Sequence, residues 1–132
     1  FDGQGVDKNL AEAAKWFRKA AEQGNANAQF NLGCLYFNGN GVDKNLPEAA
    51  KWFRKSAEQG NSFAQYTLGI CYYEGKGVIK NKIKAYAWYA LASKNGDEKA
   101  SNNMQILASE ITTSQIEKAL ELAEKYDNGK FD

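Results

Sequence analysis

Few residues in this chain could carry chemistry. Cysteine occurs twice, at Cys34 and Cys71, and histidine not at all. The missing imidazole removes the commonest general base and metal ligand. Two thiols alone cannot complete a structural zinc site. Pairing between neighbouring helices is open to them but not demanded, and free thiols in a reducing compartment are the expected state. Carboxylates are plentiful (Glu12, Glu48, Glu58, Glu74, Glu98, Glu110), but most stand at polar helix positions beside Lys or Arg, as a solvated face does. The Gly-x-Gly pairs precede Val-x-Lys-Asn and do not open a helix after a strand, so a nucleotide loop fails on context. The residues therefore point away from an enzyme, and no metal or cofactor is expected.

The elements that hold these residues come from a repeat. Residues 6–41 read VDKNLAEAAKWFRKAAEQGNANAQFNLGCLYFNGNG, and residues 42–77 match them at 25 of 36 positions. A fixed period of this size marks a stacked array, in which each unit buries its apolar face against its neighbours. The two cysteines are 37 apart, one off the period, so they do not hold equivalent places.

Within a unit the pattern predicts two helices. The first, helix A, covers about Asn27–Phe37, with Ala28, Leu32, Leu35 and Tyr36 at helical spacing. Asn38-Gly39-Asn40-Gly41 is a dense turn signal that stops it. Asn45 then caps helix B, with Pro47 in its first turn. Leu46, Ala49, Ala50, Phe53 and Ala57 form its apolar face, Glu48–Lys51 and Arg54–Glu58 its charged one, and Gly60 ends it. Gly33 and Gly69 sit inside helix A at a cost of about 1 kcal/mol relative to Ala, which predicts close helix contact there. After Gly96 the repeat decays. Asp97 is expected to cap a helix running to about Ser109. Thr112 and Gln115 form a capping box opening a last helix, with Ile116, Leu120 and Ala123 on one face and Asn128-Gly129 at its end.

The 132 residues suit one domain, with units at 1–25 (partial), 26–61 and 62–97 and a C-terminal cap at 98–132. Lys plus Arg is 17 and Asp plus Glu 16, a balance that gives nucleic-acid binding no support. No stretch reaches the ~18 apolar residues of a membrane span. Phe1 is not Met and falls mid-unit, since Phe1 to Gly5 align with Phe37 to Gly41. An upstream segment is expected to have been removed, and the compartment, cytoplasmic or periplasmic/secreted, stays open.

The residues Ala28, Leu32, Gly33 and Tyr36, repeated at Ala64, Leu68, Gly69 and Tyr72, give the core A-x-x-x-L-G-x-x-Y. With the G-x-G-V loops and the Ala49, Trp52, Phe53, Ala57, Gly60 helix, the chain resembles the Sel1-like repeat family, relatives of tetratricopeptide proteins, and the segment from Lys84 resembles the end of bacterial members. The resemblance implies an all-α fold: a right-handed α/α solenoid of antiparallel helix pairs with a C-terminal capping helix pair. It implies a scaffold or adaptor in protein–protein contact and carries no catalytic residues. Disulfide-rich relatives have been proposed as cell-wall or β-lactam-type hydrolases, but their paired cysteines are missing here. A spacer segment of a longer solenoid is the other alternative.

In such a solenoid helices A line the concave side. The partner-binding face is then expected at Asn27, Phe30, Cys34, Phe37 and Asn38 in one unit, and at Phe63, Tyr66, Ile70, Tyr73 and Glu74 in the next. Most differences between the copies fall in this half, while helix B differs only at Pro47 and Ser56. Its aromatic content suits a protein or peptide partner. Leu10, Ala13, Ala14 and Phe17 have no helix A before them, so end-to-end self-association is expected through that face.

Overall fold

The computed structural model describes residues 3–131. Seven helices follow one another: α1 (Gly3–Glu22), α2 (Ala26–Asn38), α3 (Leu46–Glu58), α4 (Ser62–Glu74), α5 (Lys82–Lys94), α6 (Glu98–Ala108) and α7 (Thr113–Asp127). Each helix A packs on the helix B before it and the helix B after it: α1 on α2, α2 on α3, α3 on α4, α4 on α5. The fold is an all-α solenoid.

Local chemistry explains the boundaries. Asn25 and Asn61 accept from the Ala28 and Ala64 N–H groups at 2.9 Å, and Asn45 and Asn81 do the same for α3 and α5 at 3.0 Å. The loops are tied back to helix A, because the Asn45 and Asn81 N–H groups donate to the Tyr36 and Tyr72 carbonyls at 2.9 Å. The first unit differs. Gly3 and Gly5 align with loop glycines, yet α1 already begins at Gly3.

Gly33 and Gly69 mark close contacts. A Cβ at Gly33 would stand 2.7 Å from the Phe53 ring, and one at Gly69 would stand 2.6 Å from the Tyr89 ring. Each ring seats directly on the backbone of its own helix A. The core divides in two. A large cluster runs from Phe53 and Leu68 through Trp88 and Tyr89 to Leu107 and Tyr126. A smaller one joins Ala21, Ala28, Leu32 and Trp52 across α1 to α3.

A polar ladder runs beside this core. Buried Gln29 and Gln65 donate to the Ala21 and Ala57 carbonyls at 3.1 Å. Their side-chain oxygens accept from Gln59 at 2.7 Å and Asn95 at 3.0 Å. Each glutamine thus joins the end of one helix B to the end of the next.

The C-terminal helices leave the pattern. Both α6 and α7 pack on α5. The Asp97 cap and the Thr112–Gln115 capping box form as the sequence predicts. The face of α7 forms in part, with Ile116 packed on the core and Ala123 buried. Ala119, Ala123 and Tyr126 are buried, whereas Leu120 is 47% exposed. The Tyr126 ring stacks on Trp88 at 4.5 Å, and this contact is made by the 119–123–126 face of the helix.

Candidate functional site

Helices α2 and α4 are covered from two sides, so the face expected to point wholly away from helix B is narrower than its period suggests. The Phe30 ring lies 5.7 Å from Phe53 and 6.2 Å from Phe63. Phe37 lies 6.2 Å from the same Phe53 ring, and Tyr66 6.0 Å from Tyr89. Phe30, Cys34, Phe37, Tyr66, Ile70 and Tyr73 are half-buried walls, while Asn27, Asn38, Phe63 and Glu74 are exposed. Asn27 accepts from the Asn61 amide at 3.0 Å.

Six of the ten come together. A cavity of about 300 Å³ is lined by Tyr66, Ile70, Tyr73, Glu74, Tyr89, Asn103, Ile106 and Leu107. A second, of about 490 Å³, is lined by Phe30, Phe63, Tyr66, Thr67 and residues Gly96 to Lys99. Tyr66 borders both, which makes one groove from α2 across α4 to α6. Asn27, Cys34, Phe37 and Asn38 line neither cavity.

The wall supplied by α6 was not foreseen from the sequence. Asn103, Ile106 and Leu107 follow Gly96, where the repeat decays. One signal was present: Ile106 stands one period of 36 after Ile70, so continuing the register would have placed it on the same face.

The edge of the groove is fixed electrostatically. The Tyr73 hydroxyl donates to the Glu110 carboxylate at 2.7 Å, and Lys82 donates to it at 3.0 Å. The bond from Tyr73, then that from Lys82, holds the Glu110 carboxyl below its usual range, and the same carboxylate raises the Tyr73 phenol. Burial raises the Tyr89 phenol. Both cysteines are free. Burial raises the Cys34 thiol and pushes Cys71 up to about 12, so both stay protonated near neutrality and are poor nucleophiles. Among the described residues no group of three or more His, Cys, Asp or Glu could hold a metal ion. None of the described helices is long and apolar enough to cross a membrane.

The expected end patch needs correction. Ala14 is buried, and Phe17 packs on the smaller core cluster. The Leu10 carbonyl is covered by the next unit's loop, where a Cβ on Gly41 would stand 2.4 Å from it. Helix B packs forward onto the following unit through these residues. Trp16 on α1 is 71% exposed, whereas its equivalents Trp52 and Trp88 are 3% and 0% exposed.

The Sel1 repeat model matches residues 1–25, 26–61 and 62–97. A protective antigen of uropathogenic Escherichia coli strains, displaying an SLR fold, is similar at a TM-score of 0.87 and 41% identity, over 91% of this chain and 26% of that one. This chain thus spans about a quarter of that antigen's length. A Sel1 repeat protein from Oxalobacter formigenes is similar at a TM-score of 0.68 and 41% identity, over 69% of this chain and 68% of that one. No curated protein matches. Sel1 repeats form a scaffold that typically mediates protein–protein interaction. With three matched units covering most of its length, the chain belongs to the Sel1 repeat family.

Proposed function

We propose that this chain is a non-enzymatic adaptor that holds a segment of a protein partner along α2, α4 and α6. One observation carries the reading. Phe30, Phe63, Tyr66, Ile70, Tyr73 and Glu74 all belong to the stretch that differs between copies, and all line the same groove. The residues that make the scaffold, such as Gly33/Gly69, Gln29/Gln65 and Asn45/Asn81, repeat unchanged. Unit-specific contacts on a constant frame are what a binding array requires. Phe63, 65% exposed, is the informative side chain, because its removal leaves the core intact. Capture from an extract of the source cells is expected to fall about tenfold for Phe63→Ala at an unchanged melting temperature. Equal capture by parent and variant would sink the named surface.

A second reading rests on Trp16. Trp52 is covered by α1 and α2 and Trp88 by Tyr126 and Phe131, while Trp16 is exposed, with Lys19 5.8 Å over its ring. This face takes another helix pair of the same kind, end to end. Sedimentation velocity should show association rising with concentration and weakened by Trp16→Ser; a monomer at every concentration overturns it.

A further inference from the structure

A near-neutral total charge conceals a separation of sign. On the helix-B side, Lys15, Arg18 and Lys19 stand beside Glu22 in one recess, and Lys51, Arg54 and Lys55 beside Glu58 in the next. The groove on the helix-A side has the opposite balance. Glu74, Asp97 and Glu98 line its two cavities against Lys99.

Along the groove and its edge, the charges are not equally available. Glu110 accepts from both Lys82 and Tyr73, and Lys82 stands 6.0 Å over the Tyr73 ring, so Glu110 and Lys82 answer one another's charge. Asp97 is committed to the start of α6, accepting from the Ala100 N–H at 3.0 Å. Glu74 is exposed. Lys76 stands 3.7 Å from it, with both side chains nearly half exposed, a contact that solvent largely screens. Glu74 is thus the carboxylate the smaller cavity presents to a ligand. Its other walls are three tyrosines, Asn103 and the aliphatic Ile70, Ile106 and Leu107. Ring faces attract cations, and aliphatic walls suit the methylene stem of a long basic side chain.

We propose that the groove selects a basic partner segment, with a Lys or Arg side chain entering between Tyr66, Tyr73 and Tyr89 and ending at Glu74. This rests on the adaptor reading above and adds the chemistry of the partner.

The test is selection of random displayed peptides on the immobilised chain. Fluorescence anisotropy then compares the enriched peptide with a version whose basic residue is norleucine, which keeps the stem and removes the charge. Lys or Arg is expected at a fixed place. Norleucine should weaken binding about tenfold, Glu74→Gln should weaken the basic peptide equally, and the norleucine peptide should bind parent and variant alike. Enriched peptides that are apolar or acidic at that place, yet lose binding in Phe63→Ala, would overturn the basic partner and leave the groove standing. A basic peptide indifferent to both Glu74→Gln and Phe63→Ala would lie elsewhere and overturn it too. No enriched peptide at all would count against both the groove and its selectivity.

Discussion

Trp88→Ala should lower stability by about 3–5 kcal/mol, the range for removing a large buried aromatic. Trp88 is fully buried, and its indole stacks on Tyr126 at 4.5 Å and on Phe131 at 6.3 Å. Because α7 packs on α5, loss of this ring removes the surface on which the last helix is seated. Amide exchange should therefore accelerate first in α7, ahead of α2 and α3. Trp88→Phe makes a sharper comparison. The indole N–H has no hydrogen-bond partner among the described residues, so phenylalanine removes a buried unsatisfied donor along with some packing. At Trp52 the N–H donates to Glu48 at 3.2 Å; the residue at Glu48's place in the next unit is Lys84, which cannot accept. Trp→Phe should thus be tolerated better at 88 than the volume change suggests. Urea unfolding followed by circular dichroism reads both variants. A loss below about 1 kcal/mol for Trp88→Ala would mean that α7 is held by other contacts.

The unit was legible because its signals are local. Asn45 and Asp97 cap the helices that the sequence assigns to them, and Thr112 and Gln115 bond reciprocally. Such features depend on four or five neighbouring residues, and two nearly identical copies state them twice. The full buried face of α7 was not legible. It depends on a stack between Trp88 and Tyr126, 38 residues apart, so Leu120 looked as good a core residue as Ala119. The Gln29 and Gln65 ladder was hidden for another reason. Glutamine reads as a surface type, and the carbonyls to which these two donate carry no sequence signal.

For the site, variation between copies pointed to the half of the unit that lines the groove. It could not show that Phe30 and Phe37 flank the Phe53 ring, because the helix that covers them comes from a different part of the chain. It also compared only two copies. The third wall, from α6, lies where the repeat has lost its identity and so offered no contrast to read.

The junction between units should be as sensitive as the core. Gly77→Ala is expected to cost about 3 kcal/mol. Two effects combine. Gly77 has φ 77°, where a side chain costs roughly 1–3 kcal/mol. Its Cβ would also stand 2.2 Å from the Leu46 carbonyl oxygen, an atom of helical backbone that cannot turn aside. The loop must lift from α3, and with it the start of α5. Gly60→Ala separates the two effects. Gly60 has φ 95° but nothing within 4 Å of its added Cβ, so it incurs the strain alone, about 1 kcal/mol. Gly41→Ala, whose Cβ would meet the Leu10 carbonyl at 2.4 Å, should resemble Gly77→Ala at the first junction. Urea midpoints of the three variants decide the matter. If Gly77→Ala and Gly60→Ala lose the same stability, backbone strain is the whole effect, and the loop does not lock one unit onto the next.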